Sequence, residues 1–231
     1  MRFLKIFILF FLVLIACKSE EPNSVMTNPT KNLAQNSLKD NITKVVEVKS
    51  KTGSIWMDRN LGATRAATMS TDTSAYGDLY QWGRGADQHQ LRKSLNTTTQ
   101  TTTDIPDNAN FILPASPLTD WRNPQNINLW QGVNGINNPC PTGYRLPTET
   151  EWNIEVSSWP SVNADGAFAS PLKFTVAGSR EILINNVGIS GSYWSSTVSG
   201  EGSQYLNFSK AGSFTLTHNR VYGGSIRCIK D

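Results

Sequence analysis

Apolar and polar positions begin to alternate at residue 44. KVVEVK (44–49) and SIWMD (54–58) are short β-type runs, and the intervening Ser50-Lys51-Thr52-Gly53 predicts a turn that joins them as a hairpin. The period changes after residue 148. Thr148 and Glu151 form a T-x-x-E capping box, Glu149 and Glu151 suit the positive end of a helix dipole, and Trp152, Val156 and Trp159 recur at helical spacing until Pro160. From residue 172 onward the pattern is β-rich, with strands expected over 172–176, 181–184, 192–197, 204–209, 213–217 and 225–229. Within 204–209, Leu206 and Phe208 alternate with Tyr205 and Asn207, so one face should pack and the other stay available. NTTTQTTT (96–103) reads as an exposed polar loop, and residues 60–95, rich in aromatics and glycine, carry no assignable period.

Upstream of this region the pattern is different. Arg2 and Lys5 precede an uncharged apolar run, IFILFFLVLI (6–15), which reads as an export signal and is short for a bilayer span. Leu14-Ile15-Ala16-Cys17 resembles a bacterial lipobox, which implies cleavage after residue 16 and acylation of Cys17. Three acyl chains on that cysteine would hold the protein on a membrane permanently. Lys18, Ser19, Glu20 and Glu21 are similar to the charged tracts that send many Bacteroidota-type lipoproteins to the outer face of the outer membrane. Residues 17–43 lack apolar periodicity and read as a lipidated cysteine with a flexible tether, leaving 44–231 as the globular domain. The tripeptide Glu21-Pro22-Asn23 matches a short calcium- and sugar-binding motif of C-type lectins, but it sits in the tether without a scaffold.

Charge narrows the partners. Removing Arg2 and Lys5 takes the formal charge from +3 to +1, and the remaining basic residues are dispersed among 18 acidic ones. A nucleic-acid binder needs a clustered basic footprint, so nucleic acid is excluded as the expected partner. Charged residues make up 17% of the chain, below the roughly 25% typical of globular domains. Neutral hydrogen bonds and aromatic contacts should therefore dominate recognition. With Cys17 assigned to lipid, Cys140 and Cys228 form an even pair in an oxidising compartment, where a disulfide is the default.

Five ordered motifs then define a resemblance: WMDRNLGAT (56–64), GDLYQWGR (77–84), NPCPTGYRLPTETEW (138–152), GSYWSST (191–197) and SIRCIKD (225–231). They resemble the Fibrobacter succinogenes major paralogous domain family over roughly residues 45–231. That family looks related to the C-type-lectin-like fold in the variant used by formylglycine-generating enzymes, which share the R-L-P-T-E-x-E-W segment, and the fold this resemblance implies is α+β, with few helices and an irregular, twisted antiparallel sheet. The resemblance implies the same Cys140–Cys228 pairing, and it leaves room for a structural calcium although no EF-hand-like oxygen cluster is visible. No other cofactor is expected.

Chemistry is poorly supplied. If Cys140 and Cys228 are bridged, the domain has no thiol for the copper-dependent oxidation of formylglycine-generating enzymes. His89 and His218, the only histidines, have no metal-ligand spacing, and no G-x-S-x-G element accompanies them. Catalytic and metal-binding residues are thus not expected, and Arg145 and Arg227 are read as loop fasteners. Some related surface lipoproteins diversify their C-terminal contacts through retroelements, and residues 201–222 (EGSQYLNFSKAGSFTLTHNRVY) resemble such a segment in position and composition. Tyr205, Asn207, Phe214, Thr215, Thr217, His218, Asn219 and Tyr222 are accordingly the expected recognition residues, for a glycan or protein on another cell or surface. Core roles for Phe214 and Tyr222 stay open. The competing readings are an enzyme or enzyme accessory of formylglycine-generating ancestry and a structural component of the cell envelope.

Overall fold

The computed structural model describes residues 43–117 and 119–231. The export signal, Cys17 and all of the tether but its last residue lie outside them. β1 (Glu47–Lys49) and β2 (Ile55–Met57) pair antiparallel, with Val48 opposite Trp56. Gly53, at φ +95°, supplies the left-handed turn residue that this hairpin needs. The C-terminal strand β13 (Ile229–Lys230) lies between β2 and β6 (Tyr144–Arg145), and the four form one sheet in the order β1-β2-β13-β6. The Cys140–Cys228 disulfide, with its Cα atoms 5.9 Å apart, ties the loop before β6 to the residue before β13.

Helix α1 (Glu149–Ser157) begins at Thr148 with both halves of the capping box present. Its Trp152 is fully buried, meets the Trp56 ring at 5.1 Å and the Phe174 ring at 5.5 Å, and donates from Nε1 to Trp194 O at 3.2 Å. Trp159, two residues past the end of the helix, packs edge-on against Phe208. A second helix, α2 (Ala164–Ala169), is capped by Asn163 and adds Ala164 and Ala167 to the same core.

The longest strands form a meander. β9 (Ser190–Ser199), β10 (Gly202–Ser209) and β11 (Gly212–Asn219) pair antiparallel in the order β11-β10-β9. Leu206, Phe208 and Tyr193 are buried on the face that meets Trp152, Trp159 and Phe174. Each large side chain so buried contributes roughly 1.5–3 kcal/mol. A third sheet runs β3 (Tyr80–Gln81), β12 (Gly223–Gly224), β7 (Ser179–Arg180), β8 (Ile184–Asn185), and β4 (Asn96–Thr97) pairs parallel with β5 (Phe111–Ile112). The fold is therefore mixed, with few helices and mostly antiparallel sheets.

Four expected elements differ. Residues 172–176 form no strand: Lys173 takes φ +49°, Thr175 donates its N–H to the Tyr193 hydroxyl, and Val176 donates to Ser70 O. The segment is apolar because Phe174 and Val176 are buried inside the core, with their backbone N–H groups donating to Ala167 O of α2 and to Ser70 O of a loop. Residues 181–184 are chiefly the turn between β7 and β8, which explains the exposure of Ile182 and Leu183. Of 225–229, Ser225 makes an isolated bridge to Tyr193 and only Ile229 enters a strand. The polar tract 96–103 is largely exposed, yet it opens with β4 because Phe111 and Leu113 donate to the carbonyls of Leu95 and Thr97.

Candidate functional site

Directly opposed residues of an antiparallel pair share a face, so register decides which predicted residues meet. Trp194, Tyr205 and Leu216 stand across one rung, Ser192, Asn207 and Phe214 across another, and Ser203 faces His218. All lie on the face turned away from Trp152 and Phe174. Trp194 is buried beneath this face and is fixed by its indole N–H, which donates to Tyr80 O at 2.8 Å. On it the Tyr205 ring sits at 5.7 Å, His218 lies 5.0 Å from Tyr205, and Tyr222 lies 4.5 Å from His218. Three residues from two strands and the following turn thus make one continuous, half-buried run of rings. Phe214 and Leu216 flank it at 58% and 47% exposure.

The remaining predicted residues are divided. Asn207 shares the aromatic face and donates to Ser192 Oγ and Gly191 O, at 3.0 and 3.3 Å. Thr215 and Thr217 alternate to the opposite face, where their hydroxyls donate to Asn153 Oδ1 of α1 and to Ser199 Oγ. Asn219 ends β11 opposite Gly202, and its carbonyl accepts the Tyr222 N–H. Tyr222 also packs on Phe111, Leu113 and Val221, so it is partly core and partly face.

Burial pushes the His218 imidazolium below its ordinary value, partly countered by the Glu181 carboxylate, so His218 is neutral near pH 7. Burial also raises the Tyr205 phenol, and Glu181 adds to that shift. Both rings therefore present neutral donors and acceptors. Leu216 joins this surface and the Glu181 carboxylate acts on it, and neither is among the residues the sequence marks for recognition. Leu216 was accessible through the period of two that links Phe214 and His218, whereas Glu181 arrives from the β7–β8 turn with no local signal.

His89 is spent structurally. It is fully buried, its Nδ1 contacts Asp87 Oδ1 at 2.6 Å and its Nε2 accepts the Gln81 N–H at 3.0 Å. Burial pushes it down to about 4, so it stays neutral. Arg145 fastens the helix start to the C-terminus by donating to both Glu151 oxygens and to Asp231. Among the described residues no group of three or more His, Cys, Asp or Glu side chains is placed to hold a metal ion.

The far end of the sheet is held by Arg220, which donates to Ser203 Oγ at 3.0 Å and Gly202 O at 2.8 Å and lies over the Trp82 ring. Its Nη1 stands 3.6 Å from the buried Asp120 carboxylate, beyond normal hydrogen-bond length. Burial therefore prevails and pushes Asp120 up to about 6. A carboxyl raised on folding stabilises below its unfolded pKa and loses that contribution as pH rises through the folded value, here between about pH 4 and pH 6. The loss is about 3 kcal/mol. Asp120→Asn carries no such cost, so its stability relative to the parent should improve between pH 4 and pH 7, whatever constant offset Arg220 imposes. Urea midpoints at several pH values check this; a pH-independent difference would refute it.

Comparison of the chain with protein-family models, with curated proteins and with solved structures gives no match.

Proposed function

We propose that the chain is an outer-membrane bacterial lipoprotein, anchored through Cys17 and facing the exterior, whose C-type-lectin-like domain of the formylglycine-generating-enzyme type recognises a glycan or protein on another cell or surface. The observation that carries the reading is the run of neutral rings Tyr205, His218 and Tyr222, set on the buried Trp194 and flanked by exposed Phe214 and Leu216. Rigid aromatics on a strand offer large contact area at little entropic cost, and Asn207 beside them supplies an amide. The enzyme reading is weakened because the disulfide occupies Cys140 and Cys228, the only cysteines among the described residues. Copper-thiolate chemistry of the formylglycine-generating type would have no thiol there.

The test is a binding screen of the protein against glycans and cell-surface extracts, beside the Tyr205→Ala, His218→Ala, Tyr222→Ala triple variant. Loss of one hot spot costs upwards of about 2 kcal/mol, so the triple variant should bind at least about 30-fold more weakly while retaining its fold. Unchanged affinity in a folded triple variant would remove the site from this face.

A further inference from the structure

The sheet that bears the aromatic face ends on β11. Among the described residues this strand pairs with β10 alone. In an antiparallel ladder, every second residue of an edge strand turns its N–H and C=O outward, and such a row templates another strand. Proteins usually blunt such edges with proline, charge, a bulge or shortness. None of these protects β11: Gly212–Asn219 is eight residues long, without Pro, Asp, Glu, Lys or Arg. Its register with β10 is continuous, the irregularity near Ser203 and Tyr205 falling on the β9 side.

A second extended strand can replace water along the whole of such an edge. We infer that a second copy of this chain occupies it, the two β11 strands pairing antiparallel about a twofold axis to join two three-stranded sheets into one. Self-pairing brings no like charges together along the strand, since β11 has no formally charged residue. The ends are complementary as well. The β10–β11 turn holds Lys210, while Glu201 lies at the opposite end, where Gly202 faces Asn219. An antiparallel pair lays the Lys210 end of each copy along the Glu201 end of the other, whereas a parallel pair would set the two lysines together. Phe214 and Leu216, both exposed, would meet their counterparts across the axis and lose water-accessible apolar surface.

This concerns the edge of the sheet but shares Phe214 and Leu216 with the recognition face, so association and ligand binding are measured separately. Sedimentation of the full chain in density-matched detergent should show a concentration-dependent dimer. Leu216→Lys and Leu216→Glu, near the axis, should each be monomeric with unchanged circular dichroism, and an equimolar mixture should regain the dimer by pairing opposite charges. A parent chain that stays monomeric at every concentration, a dimer that survives in both variants, or a mixture that stays monomeric overturns the inference. A monomeric parent that still binds its ligand would leave the recognition reading standing.

Discussion

Replacing Cys140 and Cys228 together by alanine should lower the free energy of unfolding by about 4–5 kcal/mol. The two positions are 88 residues apart, so the bridge removes a large share of the conformational freedom of the unfolded chain. In the folded state the pair packs with Tyr144, Leu146 and Ile226, and alanines would forfeit some of that contact as well. For a chain of this size, the loss corresponds to a fall in Tm of roughly 10–15 °C. The damage should be local first. β13 lies between β2 and β6 through only a few ladder bonds, so hydrogen exchange at Ile229 and Lys230 should accelerate before global unfolding. A double-alanine chain melting within two or three degrees of the parent would mean that the sheet alone holds its C-terminus.

Where local chemistry decides the structure, the residues announce it. The capping box at Thr148 and Glu151, the Gly53 turn and the alternation through Leu206 and Phe208 all appear in the fold as expected, because each depends on neighbours in sequence. Where long-range packing decides, the same reasoning fails. Residues 172–176 have the composition of a buried strand, but a strand needs a partner, and Thr175 bonds instead to the Tyr193 hydroxyl. Glu155 belongs to a helix whose polar residues should face water, yet it is fully buried, where burial raises its carboxyl. The site divides in the same way. Tyr205, His218 and Tyr222 are legible from their aromatic character and do meet, but Thr215 and Thr217 fall on the other face because strand parity, which composition ignores, directs them there. Residues 60–95 carried no period because much of that stretch is fastened by polar side chains: Arg84 reaches the carbonyls of Asn108 and Asn110, and Arg92 those of Gly77 and Ala177.

The same logic makes Arg227 a position where a single substitution should be strongly felt. Its side chain is fully buried, and its guanidinium donates twice to Asn60 Oδ1 at 3.1 and 2.9 Å, to Leu172 O at 2.7 Å and to Met57 O at 3.3 Å, while lying over the Phe174 ring. Asn60 in turn donates to Tyr76 O and to the Tyr193 hydroxyl, so one fork links the β1–β2 hairpin, the irregular 172–176 segment and β9. Arg227→Leu keeps much of the apolar volume but orphans Asn60 Oδ1 and Leu172 O in a dry core. Each buried unsatisfied acceptor costs about 1–3 kcal/mol, so the total should reach roughly 3–5 kcal/mol. Arg227→Lys should recover little, because a single ammonium on a flexible stem cannot match a planar fork that serves three acceptors. If denaturant titration placed the lysine variant within about 1 kcal/mol of the parent, the network would be carried by charge rather than by fork geometry. The companion Asn60→Ala should then separate the two effects: with the acceptor gone, Arg227→Leu should cost much less than in the parent, and additivity of the two changes would contradict a shared network.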